Sequence, residues 1–430
     1  MGPCIILDKS TLQSLSPDEI FILNKFYFIH ITPVLLMEIL GDLKKPTKNG
    51  LSEDKVKLLA NKILPSDSAI GAHFMHLIIA SLSGYPVEMG RRPHIAGGVQ
   101  VESESGEKGV VFEVSQEEKA LNNWKIGNFT EAESLLSEQW RESTKALDLE
   151  AFKRDSKQKM KILKSPRNIE QLHHYLSSFL TQEELQTGLL QSLIEAIRLD
   201  FGMAQKIFLR WEQSKYKLIK DFSPYAYFFL KVLTLFQLGL TFDLIGTRAT
   251  NKIDLEYVYY LPFCMIFISN DKFHKSITGT FLSSDQAFVD GEDLKKDLAN
   301  LSNEWNKLKE PRKAAWEAKY GHGPPARSDC LTYILWKRFW PKWKPGKKTE
   351  RTKRSPEEEA KLIEKIRNLE SSPVDHGAWK SSFDDPKVDF LIRKREVSIY
   401  DPCPCGSGKQ FKDCHWPEVR ESQERSRRDN

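Results

Sequence analysis

A chain of 430 residues with 40% hydrophobic and 29% charged side chains has enough apolar mass for two or three buried cores, which excludes a disordered or fibrous protein. Net charge is +5, but it is uneven: residues 1–300 carry 35 Lys+Arg against 38 Asp+Glu, whereas residues 301–430 carry 29 against 21. The first part is thus net −3 and the last net +8, which points to an anionic partner for the C-terminal third.

The opening MGPCIILDKST has no basic n-region and no cleavage site, and Ile6 stands where a myristoylation signal needs Ser or Thr. A cytoplasmic protein with no membrane partner is expected. Six cysteines are too few for a disulfide framework, and three of them crowd into the C-terminus, which suits a metal site in a reducing compartment. Cys4 and Cys264 lie in apolar runs and read as core.

In chain order, CIIL at 4–7 reads as a buried strand ended by Asp8, followed by a helix over about 16–25 and a second strand at 27–31. Thr32 as N-cap and Pro33 at the first helical position start a helix through VLLMEILGDLKK. This βαβα rhythm predicts a parallel sheet covered by helices. KPTKN at 45–49 breaks it, and residues 46–224 read as a mostly helical insertion. The exception is 97–114, where valines alternate around Ser105 and Gly106 and suggest a hairpin. Residues 117–149 have helical spacing, with Trp124 and Trp140 among them.

The rhythm returns near Tyr225. Residues 225–245 are apolar but interrupted by Lys231, Gln237 and Asp243, so a buried helix is expected rather than a membrane span. A polar loop (246–252), a helix near Asp254 ended by Pro262, and a buried strand FCMIFIS (263–269) running into Asn270 and Asp271 follow. Another strand is expected near 280–282, a charged helix over 291–319, and a linker at 321–325 (GHGPP). Ser355-Pro356-Glu357-Glu358 signals a helix through 369. Residues 371–400 form a connector and 419–430 a disordered tail, with no internal repeat.

Near the end stands CPCGSGKQFKDCH, with Cys403, Cys405, Cys414 and His415 in ligand spacing. Three soft thiolates and an imidazole suit tetrahedral Zn²⁺, and Gly406 and Gly408 permit the sharp turn between the ligand pairs. GSGK lacks the spacing of a phosphate loop. The segment (401–418) resembles the SEC-C motif. The resemblance implies a structural zinc and a docking surface for a protein partner, ribosome-associated factors included.

Four acids sit where an α/β sheet would present them. Asp8 ends the first strand, Glu38 lies in the helix after the second, Asp254 begins a helix and Asp271 follows FCMIFIS. Gathered carboxylates repel one another unless a cation lies between them, and hard oxygen donors suit Mg²⁺ or Mn²⁺. The stretches ILDKST, ITPVLLMEIL, KIDLEYVYYLPF and FISNDK resemble the PIN-domain nucleases. Ser10, two residues past Asp8, suits that family's first motif as a support of the metal site. The resemblance implies metal-dependent hydrolysis of single-stranded RNA by Asp8, Glu38, Asp254 and Asp271. It departs from the family in the long helical segment between the second and third acids. Asp42 and Glu256 are possible helpers. Arg248, with Thr247, and His274 are candidate substrate contacts, whereas His73, His76, His173 and His174 read as ordinary surface or core residues.

Residues 336–354 (WKRFWPKWKPGKKTERTKR) hold nine Lys or Arg with Trp336, Phe339, Trp340 and Trp343 interleaved. They read either as a substrate guide, with Lys347, Lys348 and Arg351 on phosphates, or as a helix end that packs its tryptophans and continues into a solvated basic linker.

The expected architecture is α/β: a PIN-like three-layer core with a parallel sheet from 1–45 and 225–290, the helical insertion between, a helical basic region over 291–370 and the zinc module. The expected function is endoribonuclease. The alternatives are a non-enzymatic SEC-C adaptor and a structure-specific deoxyribonuclease. Exchanging Lys347, Lys348, Arg351, Lys353 and Arg354 for Gln should weaken RNA binding and flatten its salt dependence by about 0.7 in slope per lost phosphate contact, as read by filter binding at several salt concentrations. Unchanged affinity at low salt would count against the guide.

Overall fold

The computed structural model describes residues 2–45, 52–63, 68–95, 98–102, 108–112, 114–159, 165–313 and 323–343, with Ser355, Glu357 and Ala360. The zinc segment and Lys347, Lys348 and Arg351 lie outside the described residues.

CIIL forms β1 (Cys4–Leu7), buried at every position. Successive strand residues point to opposite faces, so such a strand is covered on both. A short helix that the sequence reading did not anticipate follows, α1 (Lys9–Ser14), capped by Asp8. Then come α2 (Pro17–Phe26), whose Ser16 and Glu19 close a capping box, and β2 (Phe28–Ile31). α3 (Pro33–Gly41) starts at Thr32 and Pro33 as expected.

The segment 46–224 is not wholly helical. After α4 (Ser52–Asn61) it contributes a third strand, β3 (Ser68–Ile70), followed by α5 (Phe74–Ser83). The expected hairpin forms as β4 (Gly98–Glu102) and β5 (Lys108–Phe112). Helices α6 (Gln116–Lys125), α7 (Glu131–Lys145), α8 (Leu149–Lys159), α9 (Ile169–Phe179), α10 (Gln186–Ala196), α11 (Phe201–Gln213) and α12 (Ile219–Phe222) follow.

The apolar run becomes α13 (Pro224–Thr241), packed against α5, α8, α9 and α14 (Asn251–Val258). Among the described residues no helix is long and apolar enough to cross a membrane. β6 (Ile266–Ser269) is again buried throughout, and α15 (Lys272–Ile277) leaves it. The strand expected near 280–282 is absent: residues 278–280 form a 3-10 turn, and β7 is Ala287–Asp290. Gln286 sets that start by donating to the carbonyls of Leu261 and Cys264 at 2.6 and 2.7 Å. α16 (Gly291–Lys307) stops short of 319, with Leu308 in extended conformation. The last described helix is α17 (Leu331–Phe339).

Among the described residues the sheet has five strands in the order β3-β2-β1-β6-β7, all parallel. The chain builds outward from β1 on one side, returns, and builds outward on the other. β1 and β6 therefore flank the switch point, where open α/β sheets bind ligands beyond the strands' carboxyl ends.

The chain forms two compact units. Of the described residues, those within Met1–Gly97, Val114–Ile197 and Gln205–Ala360 belong to one, and the β4–β5 hairpin and Arg198–Ala204 belong to the other. Within the first, Trp336 is buried and donates from Nε1 to the Phe26 carbonyl at 2.9 Å. The Trp336 ring lies 5.5 Å from that of Trp340 and 5.3 Å from that of Trp343. Gly323, in the expected linker, is buried against Trp343. These tryptophans pack on the unit and on one another.

β3 is keyed to β2 through His30. Its ring is buried, its Nδ1 donates to the Phe263 carbonyl at 3.2 Å, and burial pushes its pKa down to about 3, so it is neutral. A Cβ on Gly71, just past β3, would lie 2.1 Å from His30 Nε2. Gly71→Ala should destabilise the protein by about 1–3 kcal/mol, seen as a lower urea midpoint with an unchanged slope.

Candidate active site

The switch point brings the four acids into one neighbourhood. Asp8 is buried at the end of β1. Its Oδ1 accepts from the Thr11 amide at 2.8 Å; its Oδ2 accepts from Ser10 Oγ at 3.0 Å and Ser269 Oγ at 2.6 Å. Burial alone would raise its pKa, but His274, Ser269 and Thr11 outweigh that and leave it below the usual carboxylate value. α1 is held at its other end as well. Lys62 Nζ donates to the Leu12 and Gln13 carbonyls, and Lys295 Nζ to that of Ser14, as suits cations at a helix C-terminus.

Ser269, the last residue of β6, also accepts from the Asp271 amide at 3.0 Å and contacts His274 Nδ1 at 2.8 Å. The other ring nitrogen, Nε2, lies 2.8 Å from the Asp254 carbonyl. A carbonyl only accepts, so Nε2 carries a proton. Ser269 donates to Asp8, which leaves its oxygen able to accept from Nδ1. Burial lowers the His274 pKa, but Asp8 and Asp254 overcome it and the net shift is upward. The expectation that His274 touches substrate is corrected: it is 0% exposed, with both nitrogens engaged inside the site.

Glu38 comes from α3, which is buttressed from outside the sheet: the place for a Cβ on Gly41 lies 2.8 Å from the Trp140 ring of α7. Tyr257 donates to Glu38 Oε2 at 2.5 Å. Burial raises the Glu38 pKa to about 7; the Tyr257 bond and Lys9 oppose the rise, while the Asp254 and Asp8 charges add to it. Asp254 lies one turn before Tyr257 on α14, on the same face. Burial takes its pKa up to about 6, with His274 opposing and Asp271 adding. Asp271 caps α15. One guanidinium nitrogen of Arg248 reaches both Asp254 Oδ2, at 3.1 Å, and Asp271 Oδ2, at 3.0 Å.

The two helpers lie elsewhere. Asp42 is buried in ion pairs with Lys9 and Lys55 at 2.8 and 2.9 Å, and Glu256 interacts with Lys252. Thr247 donates to Glu150 at 2.6 Å. Ser269 and Tyr257 join the site without being among the residues expected from the sequence. Both have a retrievable signal: a hydroxyl two residues before Asp271, and a hydroxyl one helical turn after Asp254.

Among the described residues no three His, Cys, Asp or Glu side chains converge closely enough to hold a metal ion. Arg248 and Tyr257 hold three of the four carboxylates instead. The available atoms are carboxylate and hydroxyl oxygens, hard donors by type, and burial is the main cause that pushes Glu38 and Asp254 toward protonation.

Residues 401–417 match the SEC-C motif. The protein translocase subunit SecA of Sulfurovum sp. (strain NBC37-1) is 39% identical over 67 residues, which cover 14% of this chain and 8% of that subunit. No solved structure matches the chain.

Glu38 binds its proton more tightly in the folded protein than in the unfolded chain, where the value is near 4.5. Stability therefore falls as pH rises from about 4.5 to about 7, and the loss is complete above that window. Without added divalent ions, Glu38→Gln should be more stable than the parent by about 1–2 kcal/mol at pH above about 7, with the gap closing near pH 4. Chemical denaturation across pH measures it, and parallel curves for the two proteins would remove the strain assigned to Glu38.

Proposed function

We propose that the chain is a metal-dependent nuclease resembling the PIN-domain enzymes, a hydrolase acting on phosphodiester bonds of single-stranded RNA. One observation supports the reading: Asp8, Glu38, Asp254 and Asp271, from four separate stretches of sequence, stand around the switch point of a parallel sheet, and burial pushes two of them toward protonation. A Mg²⁺ or Mn²⁺ ion held by these four acids would supply Lewis-acid stabilisation of the charge that develops on the phosphate.

The chain's own groups divide the remaining work. Asp8 stays ionised at neutral pH because Ser10, Thr11 and Ser269 donate to it and His274 faces it. Glu38, held by the Tyr257 hydroxyl, would complete the acid set with Asp254 and Asp271. Arg248, exposed at the rim, is placed for a phosphate contact, and Lys347, Lys348 and Arg351 would guide the strand. Zn²⁺ on Cys403, Cys405, Cys414 and His415 would be structural and would build the surface that docks a protein partner.

A second reading, a non-enzymatic adaptor, draws on a different observation: the Arg248 and Tyr257 contacts already satisfy three of the carboxylates. Cleavage of labelled RNAs and single-stranded DNAs in Mg²⁺ or Mn²⁺ separates the two. Asp8→Asn should lower the rate by at least about 100-fold, and EDTA should abolish it. Cleavage of DNA alone would redirect the reading to a deoxyribonuclease. Absence of both cleavage and divalent-ion binding would leave the adaptor.

A further inference from the structure

A half-open cavity of about 550 Å³ lies where α9 meets the C-terminal end of α13, and none of the four acids lines it. Its size falls in the range of small-ligand sites, about 300–1,000 Å³. Two of its walls are aromatic. Phe242 is the C-cap of α13, its amide donating to the Leu238 carbonyl at 2.9 Å. Tyr175 of α9 stacks on Phe179, with ring centroids 5.8 Å apart and planes 19° from parallel. That contact orients the phenol ring yet leaves Tyr175 38% exposed. Arg167 also lines the cavity. Its amide donates to Gln171 Oε1 at 2.9 Å, and Asn168 caps α9 by accepting from the Gln171 amide at 2.9 Å, so the backbone there is held. The side chain is exposed, and among the described residues its guanidinium forms no ion pair. The cavity and the acids share a loop. Phe242 stands six residues before Arg248, a span of at most about 22 Å. The loop between them is pinned to α8: Asp243 pairs with Lys153 at 2.6 Å and with Lys157, and Thr247 donates to Glu150 at 2.6 Å.

We propose that this cavity holds one unpaired nucleotide of the substrate strand, its base against Tyr175 and Phe242 and its phosphate on Arg167. The proposal rests on the single-stranded RNA reading above and uses none of the four acids. Aromatic walls alone would favour any apolar ligand, and a cation alone any anion; together they select a flat ring joined to a phosphate. Aromatic faces take every base, because every base has a π-face, and the guanidinium fork matches a phosphate. A duplex keeps its bases paired and stacked, so the cavity favours single strands.

The test is binding of a fluorescein-labelled 2′-O-methyl oligoribonucleotide, which resists cleavage, to the full-length chain. It is read by anisotropy at several salt concentrations without added divalent ions. The parent is compared with Tyr175→Ala and Arg167→Gln, both changes of exposed side chains. Tyr175→Ala should bind about tenfold more weakly. Arg167→Gln should bind more weakly at low salt, with a salt dependence shallower by about 0.7 in slope. A duplex of the same sequence should show neither difference. No binding by the parent, or equal affinities for the three proteins, would overturn the assignment. Saturable binding of uridine or adenosine monophosphate that Tyr175→Ala abolishes, with oligonucleotide affinity unchanged, would overturn the strand in favour of a free nucleotide. Cleavage of all-RNA strands is measured on the same proteins. Cleavage by the parent beside equal affinities would leave the nuclease reading standing without the cavity. Weaker binding by both variants with no cleavage by any form would keep the cavity and remove the nuclease.

Discussion

Ser269 Oγ donates to Asp8 Oδ2 across 2.6 Å of space and 261 residues of sequence. That bond closes the carboxyl ends of β1 and β6, the central pair of the sheet, and the rest of the site hangs from it. Its acceptor caps α1. Its donor also receives the Asp271 amide and the His274 ring, and His274 in turn reaches the Asp254 carbonyl of α14. One hydroxyl thus sets the spacing of three acids. The length of the intervening chain costs little at equilibrium, because closure entropy grows only logarithmically, by about 0.6 kcal/mol per doubling. It weighs on the folding rate instead, since the central strand pair must wait for a distant partner.

The same geometry explains why the acids differ. Asp8 faces donors on every side and stays ionised in spite of burial. Glu38 has one phenol hydroxyl, one lysine nearby and two like charges, so burial wins and its pKa climbs to about 7. Asp254 sits between, with the His274 and Arg248 charges offsetting only part of its desolvation and its repulsion by Asp271. An arrangement selected for stability alone would have paired these groups or replaced them with apolar ones. Buried carboxylates with raised pKa values at a sheet's carboxyl edge cost stability in the metal-free protein, and that cost is what the functional reading above accounts for.

Legibility from sequence followed the strength of the local signal. The apolar CIIL and IFIS runs and the Thr32-Pro33 helix start were readable because each is decided by neighbours in sequence. β3 was not: Ser-Ala-Ile is three residues long, half-buried at the sheet edge, and becomes a strand only because β2 lies beside it. β7 was misplaced because Thr280-Phe281-Leu282 and Ala287-Phe288-Val289 are equally plausible runs, and the choice falls to Gln286, whose partners lie 22 and 25 residues away. Asp8 and Asp271 are legible as the polar residues that follow buried strands, and Glu38 and Asp254 as acids within the helices beside them. The burial of His274 between Ser269 and the Asp254 carbonyl is not legible in the sequence, because both contacts are tertiary facts.

A site of carboxylates and a substrate made of phosphates repel each other, and this shapes how the nuclease reading must work. Residues 1–300, which contain all four acids, carry a net −3, so they offer a polyanion no long-range attraction. Residues 301–430 carry +8, more than the whole chain's surplus. At about 0.1 M salt fields fade over about 10 Å, so under the nuclease reading a general surplus of basic residues does not remove the repulsion a phosphate meets at the acids themselves. That local task needs cations in contact with the site, and Arg248, which bridges Asp254 and Asp271 while staying largely exposed, is one such cation.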